Sequence, residues 1–599
     1  MLCGYPDRNA PPLGPPAAKA AVVAPVCCEG GLRGVAYLDR HWIGTTLHGP
    51  TPTQREGAPL QCRASRPQTG DRWGEIVTTR RRRLLAAVAA GVLAIGIAGC
   101  GQGGDDSGGA GGTVTMGTTD KVTSLDPAGA YDLGSWTLIS NMYQKLLTIP
   151  PGGNTPEPDA AQGCEFTDDT TYECTLQPGL TFWNGNELTA QDVVHTFRRM
   201  VAIDDPDGPA VLFASMESVA ATDERTVVFT LKQPDATWPF VLTTPAASIV
   251  DADVFPADAL LPGTEVVGSG PYQLEQYENG QLAAFGASDS YQGAAQPAND
   301  SFIVQYFEQP SALKLAIQQG EVDVAYRSLS PTDIQALRGV EGVKIVEGQG
   351  TEIRYMVFYV QGQGPSTNPA VRQAVAQLID REAIARNAYQ GTVEPLYSLI
   401  PEGLKYHTDA FRQVYGEPSA DKARRILADA GVATPVALTL GYTPSHYGPN
   451  LVDEYTEVKR QLEASGLFRV KLASAEWTQY QQLYKEGAYG GYGLGWFPDF
   501  PDADNYTAPF LLQDNFYANG YSNPRVTELV AQEQATTDDA ARAAAFEEIQ
   551  RITARQVPVV PIWQGKQIAV AREGVTGIEQ TFDPSFIFRF WLVGKSSEQ

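Results

Sequence analysis

The 599-residue chain carries 69 Asp and Glu against 44 Lys and Arg, a formal net charge of −25. Its first 99 residues are basic on balance, so the remainder is more acidic still, which argues against a nucleic-acid partner and mildly favours cationic or zwitterionic ligands. The length exceeds what one hydrophobic core supports and predicts two or three domains.

Residues 1–76 are rich in Pro, Gly and Arg and show no sustained periodicity. They read as a mis-called start or a disordered extension and are left out of the fold reasoning. Four arginines, Arg80 to Arg83, precede an apolar run over 84–99, so 77–99 has the basic and apolar regions of a secretory signal. The run is shorter than the roughly 20 apolar residues of a spanning helix. Ile97-Ala98-Gly99-Cys100 resembles a bacterial lipobox, which implies cleavage before Cys100 and a diacylglyceryl group on its sulfur. Two or three acyl chains anchor a protein where one holds it only marginally. The arginine run leaves Sec and twin-arginine export both open. Residues 100–112 then form a flexible Gly-rich tether.

Beyond Cys100 the remaining cysteines are Cys164 and Cys174. They flank a stretch whose Asp168-Asp169 pair reads as a hairpin turn, and outside the cytoplasm the two are expected to form a disulfide. His195, His407 and His446 are far apart in sequence, so no metal site and no cofactor are expected.

A strand is predicted over 113–116, a turn over 124–127 and a helix over 136–147. Asn184-Gly185 marks a turn. Thr189 caps a helix with Asp192 three residues on as its capping box and Val193, Val194 and Phe197 as its buried stripe. Residues 226–231 alternate as a strand, and Gly268-Ser269-Gly270 forms a tight loop before another. Residues 310–320 read as a helix, with Pro310 in its first turn and Gly320 closing it, followed by a strand over 322–326. This alternation points to α/β layers. An amphipathic helix is expected from Asn368 to about Tyr389, others over 419–430 and 540–554, and an extended segment over 557–563.

Taken in order, the strings SLDPAGAYD, NMYQKLL, LTFWNGNELTAQDVVHTFRR, GSGPYQLE, SALKLAIQQGEVDVAY, NPAVRQAVAQLIDREAIA, SADKARRILADAGV and QVPVVPIW resemble the family 5 extracellular solute-binding proteins, the peptide-binding class serving ABC importers. The resemblance implies an α/β fold of the two-lobed, type II periplasmic-binding-protein-like kind. Its first lobe, 113–350 plus 580–599, contains an inserted subdomain. The second lobe covers 351–579, and the hinge strands pass near 351–355 and 581–586. It further implies a lipid-anchored monomer at the outer face of the cytoplasmic membrane that captures peptides by lobe closure and delivers them to a permease. No chemistry is expected.

Gly495-Trp496-Phe497-Pro498-Asp499-Phe500-Pro501-Asp502 resembles the family's cleft loop, whose first aspartate holds the ligand's α-amino group in peptide binders. By that resemblance Asp499 holds the amine, Trp496 lines the cleft, and Gly495 and Phe497 offer main-chain pairing; the alternative for the loop is a turn cluster in which Asp499 caps a local helix. Asp502 reads as a loop residue. Arg327 and Arg354 are candidates for a ligand carboxylate, but no motif places them, and the expected position of each is at the surface. The alternative readings are the same trap around an oligosaccharide or other small solute, or a ligand sensor. A hydrolase is disfavoured because the mature chain has no nucleophile elbow and no histidine in a catalytic context.

Overall fold

In the computed structural model of the chain the described residues are 112–596, without 328, 445 and 449. The expected signal sequence, Cys100 and nearly all of the tether lie outside the described residues. Among the described residues no helix is long and apolar enough to cross a membrane.

Two long antiparallel strands, Val343–Phe358 and Val559–Arg572, run through the middle of an 11-stranded sheet. Residues 343–349 pair with 566–572; the register then breaks and resumes with 353–357 on 559–564. At the break Gly350 passes so close to the Gly565 carbonyl that a Cβ there would collide with it. The half ending at Arg572 continues into Val324–Tyr326, Thr113–Thr118, Ser301–Tyr306, Leu282–Ala287 and Tyr272–Glu278. The other half continues into Gly491–Trp496, Val436–Tyr442 and Phe468–Ser474. Each half has its own core. Val114, Phe302, Ala569 and Phe590 belong to one, Met356, Leu440, Tyr455 and Ile562 to another. The two strands are therefore the hinge between two α/β lobes.

The return crossing lies inside Val559–Arg572, near Lys566, and not at residue 580 or over 581–586 as expected. Ala569, Ala571, Val575 and Ile578 already belong to the first lobe's core, and Ile578–Thr581 is a short 3-10 turn within it. The apolar run at Val557 gives no local sign that it continues as one long strand through both lobes.

The first lobe carries an inserted four-stranded sheet ordered Ala161–Asp168, Thr171–Leu176, Thr226–Leu231, Met216–Ala221. Cys164 and Cys174 face each other across its first hairpin and are joined by a disulfide. The helix Ala190–Ile203 packs on this sheet through buried Val193, Val194 and Phe197, with the Phe197 and Phe229 rings edge to face at 4.9 Å. Its start is the expected capping box. The Thr189 hydroxyl accepts from the Gln191 N–H, and Asp192 Oδ2 accepts from the Thr189 N–H at 2.8 Å. Thr189→Ala is expected to lower stability by about 1 kcal/mol, as loss of an N-cap does, measured as a fall in the urea midpoint at unchanged slope. A buried ion pair, Arg199 on Asp126, ties the helix to the 3-10 turn Pro127–Gly129.

Two expected helices differ in extent. The first begins earlier and ends sooner, at Leu133–Met142, with Asp132 as its cap. The Gly270 N–H donates to the Met142 carbonyl at 2.8 Å, an approach that a Cβ at Gly270 would block, and the chain goes on to the strand Leu147–Thr148. The helix expected from Asn368 to Tyr389 is two, Pro369–Leu378 and Arg381–Asn387, because Asp380 leaves the helix to cap the second through the Ala383 N–H.

Candidate functional site

The strand Gly491–Trp496 delivers the Gly495–Asp502 loop to the place where the lobes meet. It pairs along its length with 353–358, whereas its other neighbour, Val436–Tyr442, covers only Gly491 and Tyr492. The Gly493 carbonyl accepts from the Tyr480 hydroxyl at 2.8 Å, a hydroxyl that also reaches the Gly441 carbonyl on that other neighbour. Main-chain groups alternate between the two edges of a strand, so Gly495 shares the edge of Gly493 beyond the end of that pairing. Its carbonyl also accepts from the Tyr355 hydroxyl at 3.3 Å. A Cβ at Gly495 would run into the Arg354 guanidinium, which lies across it.

Between the lobes is a cavity of about 720 Å³, within the range typical of ligand sites. Asp120, Lys121, Asp132, Arg327 and Phe586 line it from the first lobe; Tyr389, His446, Tyr447, Trp477 and Phe497 line it from the second, with Arg354 and Trp563 on the hinge strands. Gly495 and Trp496 are also on its wall. Trp496 is buried, its indole N–H donates to Asn505 Oδ1 at 3.0 Å, and its ring packs edge-on against Phe510 and Phe516.

Phe497 stands between two arginines that no motif placed. The Arg327 guanidinium is 5.8 Å and that of Arg354 5.5 Å from its ring centre. Arg327 pairs with Asp120 at 2.6 Å and Arg354 with Glu352. Arg354 is buried and also faces the rings of Tyr447 at 4.5 Å and Trp563 at 5.1 Å. Both residues are therefore cavity groups rather than surface ones.

The aromatic wall is fixed from behind. Glu454, buried, accepts from the Tyr389 hydroxyl at 2.8 Å and from the Trp563 indole N–H at 2.7 Å, and burial raises its pKa. The His446 ring stacks on Trp477 at 3.7 Å, and burial pushes its pKa down to about 4, so it is neutral at pH 7.

Asp499 is not on the wall of the large cavity. It lines a separate one of about 20 Å³, which shares Leu133 and Phe586 with the larger. It is only 5% exposed. Its Oδ1 accepts from the hydroxyl of Tyr131, a first-lobe residue, at 2.9 Å, and its Oδ2 from Asn505 Nδ2 at 3.1 Å. Among the described residues no cation pairs with it, and burial pushes its carboxyl up to about 6 against the pull of these two hydrogen bonds. A buried carboxylate without a counter-ion is costly, and this one sits at the seam between the lobes.

Asp502 anchors the loop. Arg542 grips both its oxygens, at 2.8 and 2.9 Å, and reaches Glu533 Oε2 at 2.9 Å. Among the described residues Glu402, His407 and Asp409 are close enough to share an ion, but Glu402 is exposed and Asp409 already faces Arg412 and His407.

The profile of the bacterial extracellular solute-binding proteins, family 5 Middle, matches residues 155–518, and the chain belongs to that family. It is 26% identical over 469 residues to the dipeptide-binding protein of Escherichia coli strain K12, covering 73% of this chain and 86% of that protein. To heme-binding protein A of Haemophilus influenzae it is 24% identical over 482 residues, 74% of this chain and 84% of that one. The periplasmic binding protein DppA of Helicobacter pylori, solved with the peptide STSA, superposes with a TM-score of 0.68 at 20% identity, covering 81% of this chain and 98% of that one. The role common to the family is solute binding for transport, outside the cytoplasm.

Proposed function

We propose that this protein captures short peptides by closing its two lobes around them and passes them to the permease of an ABC importer. We further propose that it works from the outer face of the cytoplasmic membrane, held there by lipid on Cys100. The observation that carries the peptide reading is Asp499, a buried carboxylate with no cation beside it among the described residues, next to a cavity walled by both lobes. In this reading Asp499 receives the ligand's α-ammonium group. The edge at Gly495 and Phe497 pairs with the peptide main chain, as in strand addition, and Trp496 closes the wall. Arg327 and Arg354 offer positive charge to the ligand's carboxylate end. Ligand stabilises the closed form because its contacts are made to both lobes at once.

Titration followed by tryptophan fluorescence, with tripeptides whose amine is free or acetylated, tests this. Loss of a buried charge partner is worth roughly 2–5 kcal/mol, so acetylation is expected to weaken binding by at least about 30-fold. Equal affinity for both forms removes Asp499 from the role of amine acceptor.

The partly exposed rings of Tyr447, Trp477 and Phe497 in the cavity favour a second reading, a carbohydrate or other solute held by stacking. Short oligosaccharides that bind where no peptide does would establish it.

A further inference from the structure

Five residues on the wall of the small cavity carry hydroxyls: Thr137, Ser140, Thr243, Thr244 and Ser585. Four of them have partners. Thr137 donates to the Leu133 carbonyl, Thr243 to that of Phe240, Thr244 to that of Val241, and Ser585 to Asp583 Oδ1. Ser140 is the exception. It is 4% exposed, and among the described residues its hydroxyl has no hydrogen-bond partner. It sits inside the helix Leu133–Met142, where a serine ordinarily returns its proton to the carbonyl four residues back; here the Trp136 carbonyl does not receive it. A buried hydroxyl left unsatisfied destabilises a protein by roughly 1–3 kcal/mol, so this one is poised to take a partner from within the cavity.

We propose that Ser140 is the second acceptor for the ligand's ammonium group, completing from the first lobe the site that Asp499 forms from the second. The inference rests on the reading of Asp499 as amine acceptor. An alkylammonium has three donors. An ionised carboxylate offers about four lone-pair positions, of which Tyr131 and Asn505 occupy two, so Asp499 and Ser140 together can satisfy all three protons. A cavity of about 20 Å³ admits one group the size of a water molecule, which an ammonium is. An amine held at once by Ser140 and Asp499 touches both lobes, and this contact couples occupancy to closure.

Ser140→Ala separates a role in binding from one in folding. Thermal unfolding of the ligand-free full-length protein is expected to show an unchanged midpoint in the variant, since in the open form water solvates the hydroxyl. Native mass spectrometry against an equimolar tripeptide library is expected to show free-amine peptides bound about tenfold more weakly by the variant. Retention of the N-acetylated library should not change. If wild type prefers free amines and Ser140→Ala retains that preference at full strength, the assignment of Ser140 is overturned while Asp499 stands. If wild type does not distinguish the two libraries, or retains neither, the reading of Asp499 falls and this inference with it.

Discussion

Replacing Arg542 with methionine is expected to lower the unfolding free energy by about 3–5 kcal/mol, the penalty for removing one partner from a buried ion pair. Arg542 is enclosed with Asp502, which is 4% exposed, and Glu533, which is fully buried. Asp504, also buried, adds a third carboxylate. Burial first and the neighbouring Asp504 second raise the Glu533 pKa well above its usual range, and Arg542 is the counter-ion that Asp502 and Glu533 share. Urea unfolding of Arg542→Met measures the loss. Adding Asp502→Asn to that variant is expected to return part of it, because the charge left without a partner is removed as well. Because Asp502 caps the 3-10 turn Ala503–Tyr506 immediately after Asp499, the single variant is also expected to weaken ligand binding. An unfolding free energy within 1 kcal/mol of wild type would show that the cluster does not hold the loop.

Asp499→Asn is expected to abolish the preference for free-amine peptides, a loss of at least about 30-fold on the same buried-charge argument, with acetylated peptides unaffected. The same carboxyl makes closure of the empty protein depend on pH. In the closed form its pKa is raised to about 6; once the lobes part and water reaches it, the value returns toward the ordinary aspartate range near 4. The closed form therefore binds the proton more tightly. Protonation supports empty closure fully below about pH 4, and that support disappears as pH rises through 6. Ligand-free protein is expected to be more closed at pH 5 than at pH 8 by small-angle scattering, and Asp499→Asn to be equally closed at both. Identical wild-type curves at the two pH values would contradict this.

What could be read from the chain was local. The Thr189–Asp192 capping box, Gly320 past the end of its helix and the Cys164–Cys174 hairpin each depend on residues within about ten positions of one another, and each is present. The loop Gly495–Asp502 is legible only through its resemblance to a motif; Gly495, Trp496 and Phe497 are on the wall of the cavity between the lobes, and Asp499 is on that of the smaller one. Its partners were not legible. Tyr131 meets Asp499 across 368 positions, and Arg327 and Arg354 become cavity residues only when hinge and lobes are assembled. The split at Asp380 was missed because the apolar stripe continues through it in the sequence. Ser140 gave no signal, since only its unsatisfied burial marks it.

The central claim, that the lobes shut around a peptide, is tested most directly by small-angle scattering at pH 8 with and without a saturating free-amine tripeptide mixture. The account predicts a smaller radius of gyration and loss of the open-cleft features in the presence of peptide. A curve that stays the same while titration records binding, or the absence of binding by any peptide, would contradict it.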